Sequence, residues 1–519
     1  MASADETKEL ILGYRDACGR LDCADGSQPV RVDRQWWAAQ GIDPAALVTS
    51  GNEVTPLIDG DEAMKAMYEE FMAAEHYILL TGWDIDIDVP LLGPQNPEST
   101  LLHVVRHVIH KRGCLVRLRF VLWERESWDL QREGLLAKVL TFMVKASPYE
   151  IYRQALRLEL ESVPEGSSPL LLGDGSLRPD YRCKTLVYDQ TRLISSLHQK
   201  AAVIDGRVAF CGGVDLAAGR WATRKHEKSV WHDVHVKIRG PAVRRIQENF
   251  VRRWRAEQSD PLDIAVIDEV AKSREERLRL LRWEKEKELD LKLHDVVGAR
   301  PGSLPVQVIR SIHHDSEADR EDHSYLESFS RAIINARQYI YIENQYFNCE
   351  FLTQLIIERL KAMRSLHVII LLPTAVENSP WYKLLDGMQM ALINQAAPER
   401  VMILNRLTLG SDGYLYDLFI HAKVMIVDDI YASIGSANFT DRSLESRDEE
   451  LGIAWMDKPG ASVSRFRKDL WSEHLNLDPS DPALDKASGE ELMRLWMLRL
   501  MRPEHFKTYL KMVDFQKLK

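Results

Sequence analysis

Nowhere in the 519 residues do eighteen apolar residues run together, so the mark of a membrane-spanning helix is missing. The opening stretch MASADETKELILGYRDACG has neither a basic n-region nor an apolar h-region, and no cleaved signal peptide is expected. Cysteine is sparse. Cys18, Cys23, Cys114, Cys183, Cys211 and Cys349 are scattered without metal-binding spacing, which fits free thiols in a reducing cytoplasm. Positive charge is also short: 68 lysines and arginines stand against 78 acidic residues, a formal net charge of −10. A dedicated nucleic-acid binder is usually basic, so none is expected as partner. What remains is an ordinary globular composition, 45% hydrophobic and 28% charged, with length for two domain-sized cores.

One pattern occurs twice. Residues 198–215 read HQKAAVIDGRVAFCGGVD and residues 421–438 read HAKVMIVDDIYASIGSAN, and the two align without a gap. A single HxK says little in a chain with 16 histidines. Two full copies in register, each with its glycine seven positions after the aspartate, say a good deal. Each copy reads as strand, turn and strand, over 201–204 and 208–211 and over 424–427 and 430–434. Asp205-Gly206 and Asp428-Asp429 supply the turns. Strand side chains alternate, so His198 shares a face with Lys200 and His421 with Lys423. Asp205 and Asp428, an odd number of positions on, face away and are expected to accept structural hydrogen bonds. A histidine beside a lysine suits phosphoryl transfer: the ammonium neutralises phosphate oxygens while the imidazole attacks or carries a proton.

The chain around the motifs is duplicated as well. Helix 61–74, strand 77–81, helix 101–111 and strand 115–123, then a helical and loop region to about 180, precede the first motif. Helix 324–336, strand 339–343, helix 351–363, strand 366–372 and helix 381–396 precede the second. The expected fold is α/β, two pseudo-symmetric repeats, each a mixed sheet flanked by helices. The division follows: an N-terminal cap over 1–50, with Trp36 and Trp37 packing it onto the core; a first half over 51–260; a charged helical linker over 261–304; a second half over 305–460; and a C-terminal helical segment over 461–519. A helix near 492–501 is expected to close the core rather than lie on a membrane. His232 and His235, like His313 and His314, lack a complete ligand set, and no metal site is read.

These motifs resemble those of the phospholipase D superfamily, whose pattern is HxKxxxxD, six residues, then GSxN or GGx(N/D). Gly435, Ser436 and Asn438 fill it in the second copy, and Gly212, Gly213 and Asp215 in the first. GGVDLAAGRW, WHDVHVKIRGPAV and YIYIENQYF are similar to the phosphatidylcholine-hydrolysing branch, without the calcium-binding lipid module or phosphoinositide-binding domain of plant and animal members. The resemblance implies the phospholipase D fold and hydrolysis of the distal phosphodiester of a glycerophospholipid through a phosphohistidine. It makes His198 the nucleophile, His421 the acid/base, and Lys200 and Lys423 phosphate ligands. It implies that Asp233 and Glu450 hydrogen-bond the imidazoles. Gly213, Ser436, Asn438, Glu343, Asn344 and Gln345 would contact substrate or line the entrance, and Asp215 would accept hydrogen bonds instead. No cofactor is required, and the implied protein is a monomer, cytoplasmic and peripheral at a membrane surface where its phospholipid lies. A phosphatidyltransferase of cardiolipin synthase type, a nuclease of the superfamily, and a lipid-binding module with silent motifs are the rivals. Whether the enzyme works at home or is exported as an effector, with a secretion or immunity partner, stays open at this point.

Overall fold

The structure, a computed structural model, describes residues 4–18, 36–39, 47–111, 117–123, 183–188, 196–226, 231–256, 301–312, 321–374, 380–410, 412–446, 448–486, 488–503 and 509–513. The charged stretch 262–294, the region 124–180, Cys23, Cys114, His313 and His314 lie outside these residues.

Short apolar runs bounded by turn residues become strands. In the first half these are β1 (Val48–Ile58), β2 (Tyr77–Gly82), β3 (Arg117–Trp123), β4 (Cys183–Tyr188), β5 (Ala201–Ile204), β6 (Val208–Gly212), β7 (Trp231–His232) and β8 (Val234–Arg239). In the second they are β9 (Leu304–Ser311), β10 (Tyr339–Glu343), β11 (His367–Leu372), β12 (Val401–Leu409), β13 (Leu415–Asp417), β14 (Phe419–Ile420), β15 (Val424–Val427), β16 (Tyr431–Gly435), β17 (Glu450–Met456) and β18 (Tyr509–Met512). The helices anticipated before each motif form at Asp59–Met72, Leu101–Lys111, Ser324–Asn335, Glu350–Ala362 and Pro380–Ala396.

Among the described residues sixteen strands join one sheet, and its order is a palindrome about the β9–β1 contact. Outward on one side lie β1, β8, β6, β5, β2, β3 and β4; on the other lie β9, β17, β16, β15, β10, β11 and β12. β2–β3–β4 and β10–β11–β12 are parallel and the inner strands antiparallel. The fold is therefore the expected pair of mixed α/β repeats, fused edge to edge by β1 and β9. Sequence patterning did not mark those two strands, because Gly51, Pro56 and Pro305 interrupt their apolar alternation. Asn52 secures the seam: its Nδ2 donates to Thr49 O at 2.8 Å and Leu304 O at 3.1 Å, and its Oδ1 accepts from Ala242 N.

Alternation sends the two faces of each strand into different cores. Tyr77, Leu79, Tyr339 and Tyr341 point into a core shared by both halves, with Trp471 and Trp496. Ile78 and Leu80 pack under the first half's helices, and Ile340 and Ile342 under the second's. Trp36 and Trp37 are buried in that last core, where Ala38 exchanges two hydrogen bonds with Gln307. The helix Gly489–Met501 buries Leu492, Leu495 and Trp496 in the shared core. Beyond it the C-terminal segment adds a strand, β18, to β12.

The turn aspartates occupy matching positions. Asp205 and Asp428 adopt left-handed backbones with φ of 54° and 55°, which a short polar side chain tolerates. Their carboxylates reach the start of the neighbouring strand: Asp205 accepts from Glu75 N, His76 N and Tyr77 N, and Asp428 from Arg337 N, Gln338 N and Tyr339 N, all at 2.7–2.9 Å. Each carboxylate thereby ties its hairpin to the start of β2 or β10. Asp428→Asn places an amide N–H₂ against those donors and is expected to cost about 1–3 kcal/mol in urea unfolding. An unchanged midpoint would refute the strand-start tie.

Candidate active site

Each His-x-Lys sits immediately before its strand, β5 or β15, rather than within it. Two contacts across the halves bring the motifs together. β7 pairs in parallel with β14, and His421 N donates to His232 O at 2.8 Å. Leu197 bridges Glu449, whose N–H donates to Ser196 O at 2.8 Å. Those pairings carry the acids into place, and the acids cross over. Asp233, from the first half, lies 2.7 Å from His421 Nδ1. Glu450, from the second, sets both oxygens 3.0 Å from His198 Nδ1. With Nδ1 committed, Nε2 is the reacting nitrogen of each ring. Trp83 stands edge-on to His198 and Trp231 to His421, with centroids at 5.7 and 5.1 Å.

The lysines are fully buried. Lys200 Nζ donates to His198 O at 3.0 Å and lies 3.4 Å from Asp215 Oδ2. Lys423 Nζ donates to His421 O and, at 3.3 Å, to Gln345 Oε1. Gln345 and Trp83 occupy equivalent positions in YIYIENQY and YILLTGWD, and Lys200 lies over the Trp83 ring at 5.4 Å. One lysine therefore meets an amide where the other meets an indole.

Several residues expected at the substrate have other work. An added Cβ on Gly213 would sit 2.0 Å from Asp233 Oδ1, so this glycine makes room for the acid and offers no side-chain contact to phosphate. Ser436 is fully buried; its hydroxyl donates to Glu450 and accepts from Leu451 N at 3.0 Å. Glu343 does not line an entrance. It is buried, and accepts from Tyr341, His232 and His474. Asn344 braces the turn after β16, its Oδ1 accepting from Phe439 N at 3.0 Å. Asp215 accepts from Trp83 N and Asp84 N at 3.2 and 3.1 Å. Gly212, with φ of 154°, has His235 Cα 2.6 Å from where a Cβ would go, and Gly435 has the Tyr325 hydroxyl at 1.8 Å. Asn438 is buried, and its Oδ1 accepts no hydrogen bond.

Arg220 was not singled out from the sequence, although it is the penultimate residue of GGVDLAAGRW. Its guanidinium is buried, stacks 3.7 Å over the Trp231 ring and leaves Nη1 without a hydrogen bond. His232 was read as lacking companions, but folding brings Asp59, His226 and Glu473 around its Nδ1. Those partners come from three separated segments, which no local spacing reveals.

Burial is the main electrostatic influence. It holds His198 well below the ordinary imidazole value, helped by Lys200. It does the same to His421, helped by Lys423 and Arg220. It raises Asp233 to about 6 against the pull of Lys423 and Arg220, and Glu450 to about 7 against the hydrogen bond from Ser436. Each acid–imidazole pair thus favours a neutral form. Burial also pushes Lys423 down to about 7, overcoming the attraction of Asp233. The ammonium is present below that pH and lost above it. kcat/KM, which reports the free enzyme, is therefore expected to fall as pH rises through about 7. In Lys423→Arg the guanidinium stays charged, so the alkaline limb moves up by two units or more at reduced amplitude. A limb that stays at 7 in the variant belongs to another group.

A family model described as "Phospholipase D" matches residues 222–369, and one described as "Cardiolipin synthase, PLD-like domain" matches 329–473. The chain is 25% identical to Phospholipase D gamma 3 of Arabidopsis thaliana, over 79% of this chain and 60% of that protein. It is 26% identical to Phospholipase D A of Dictyostelium discoideum, over 55% of this chain and 27% of that protein. The chain thus covers about three fifths of the length of such plant relatives. Among solved structures, the phosphatidylserine synthase of Haemophilus influenzae Rd KW20 has the same fold, with a TM-score of 0.50 at 14% identity over 90% of this chain and 89% of that one.

Proposed function

The chain belongs to the phospholipase D superfamily, and from that premise we propose that it hydrolyses the distal phosphodiester of a glycerophospholipid to phosphatidic acid and the head-group alcohol. The observation that carries the reading is the crossed pair of acid-held imidazoles, His198–Glu450 and His421–Asp233, with Lys200, Lys423 and Arg220 buried beside them. Two imidazoles with free Nε2 atoms suit an in-line displacement, and three cations suit a phosphate anion.

In the proposed cycle His198 Nε2 attacks phosphorus, and a P–N bond forms as the bond to the head-group oxygen breaks. His421 Nε2 gives its proton to that oxygen. The same imidazole then takes a proton from water, whose oxygen attacks phosphorus and releases His198. The side-chain cations supply the countercharge, so no cofactor enters the scheme. Among the described residues no helix is long and apolar enough to cross a membrane, and we propose that a monomer meets its lipid at the membrane surface, without a nucleic-acid partner.

A primary alcohol that replaces water in the second step yields a new phosphatidyl ester. Purified protein with mixed phospholipids and ethanol is expected to give both phosphatidic acid and phosphatidylethanol, with release of head-group alcohol. Phosphatidylethanol with almost no phosphatidic acid would move the reading to a phosphatidyltransferase, in keeping with the cardiolipin synthase description of the second family model. Cleavage of DNA with neither lipid product would replace it with a nuclease.

A further inference from the structure

Behind the Asp233–His421 pair lies a second group of ionisable side chains, which the proposed reaction does not use. Asp59 opens the helix after β1, His226 precedes β7, His232 is the second residue of β7, and Glu473 comes from the helix Ser462–Leu475 in the other half of the chain. None of the four side chains is more than 2% exposed.

Their ligand atoms converge. His226 Nε2 lies 2.9 Å from Glu473 Oε1 and 3.4 Å from Asp59 Oδ2. His232 Nδ1 lies 3.0 Å from Asp59 Oδ1 and 3.0 Å from Glu473 Oε1. For a tetrahedral ion with metal–nitrogen and metal–oxygen bonds near 2.0–2.1 Å, neighbouring ligand atoms stand about 3.3 Å apart. The observed spacings bracket that value.

Two further features accompany this spacing. His232 Nδ1 is close to two carboxylate oxygens, yet an N–H there aligns on neither, and Asp59 Oδ2 and Glu473 Oε2 also make no hydrogen bond. The opposite ring nitrogen, Nε2, faces Glu343 Oε2 at 2.9 Å. A carboxylate behind a histidine is how a metal-bound imidazole is oriented, because it fixes the proton on the far nitrogen and leaves a lone pair for the ion.

We propose that Asp59, His226, His232 and Glu473 bind one divalent ion of the zinc class. Two imidazoles and two carboxylates complete four-coordination, which marks a structural centre rather than a catalytic one. The ion clamps the helix Ser462–Leu475 onto the first half. It also steadies the catalytic acid, since Asp59 N donates to Asp233 O at 2.8 Å and His421 N to His232 O. This site stands independently of the lipid reaction.

The test uses the full chain expressed in zinc-supplemented medium. Elemental analysis is expected to find about one zinc per chain, and the cobalt-substituted protein to show the strong visible bands of a four-coordinate centre. Stripping with dipicolinate is expected to lower Tm by roughly 5 °C or more, with recovery on adding zinc chloride but not magnesium chloride. His226→Ala and Glu473→Gln should each reduce the bound zinc at least about tenfold. Should either variant fail to fold, the stripping and recovery of the unmodified chain decides alone. Less than about a tenth of an equivalent of zinc, or a Tm indifferent to both chelator and zinc, overturns the proposal.

Discussion

His198→Asn is expected to lower turnover on the order of 10⁴-fold or more and to abolish any covalent lipid–enzyme adduct. Asparagine has a similar reach but no lone pair basic enough to attack phosphorus. His421→Asn should lose as much against a natural phospholipid, whose alkoxide leaving group needs a proton. The variants part company on a substrate with a p-nitrophenol leaving group, which departs without one. With that substrate His421→Asn should still form the adduct rapidly and then stall, because water lacks its base. Mass spectrometry of the quenched protein should find the phosphatidyl group on the peptide containing His198. An adduct on His421 in the His198→Asn protein would exchange the two roles. Labelling of neither histidine under any condition would remove the phosphohistidine pathway.

Gly213→Ala is expected to cost about 10³-fold in kcat, an effect out of proportion to one methyl group. The methyl carbon would sit 2.0 Å from Asp233 Oδ1 and 2.9 Å from its Cγ. The carboxylate has little freedom to yield, since it is buried and accepts from Val234 N at 2.8 Å. Displaced, it can no longer hold His421 Nδ1, and the imidazole loses both its orientation and the partner that stabilises its charged form. The equivalent position in the second motif is Ser436, where a side chain is accommodated because its hydroxyl donates to Glu450. The two motifs therefore differ in how closely the acid approaches the turn. Asp233→Asn should reproduce the loss, and Gly213→Ala should add little to it, since both break one link. Kinetic effects that multiply in the double variant would show that Gly213 acts elsewhere. A folded Gly213→Ala protein, checked by circular dichroism, separates this outcome from simple unfolding.

The sequence was informative wherever a property is local. Strand and helix positions around the motifs followed from apolar periodicity, and the hairpins followed from Asp205-Gly206 and Asp428-Asp429. The repeat of the His-x-Lys pattern carried the fold class and four residues of the candidate site, because duplication in register is visible along the chain. Roles that depend on depth were less legible. Glu343, Ser436 and Gly213 were expected at the substrate or its entrance because the family resemblance implied it, yet they support the acids or lie among buried histidines.

His198, Lys200, His421 and Lys423 were determined by the chain alone, since a short motif dictates its own local geometry. Only the tertiary structure decided which acid serves which histidine. Asp233 and Glu450 cross between the halves because β7 pairs with β14 and Leu197 with Glu449, and no spacing within either motif encodes a pairing made through the fold's pseudo-two-fold. The gathering of Asp59, His226, His232 and Glu473 has the same origin: their separations along the chain carry no pattern, and burial together is what gives them a common chemistry.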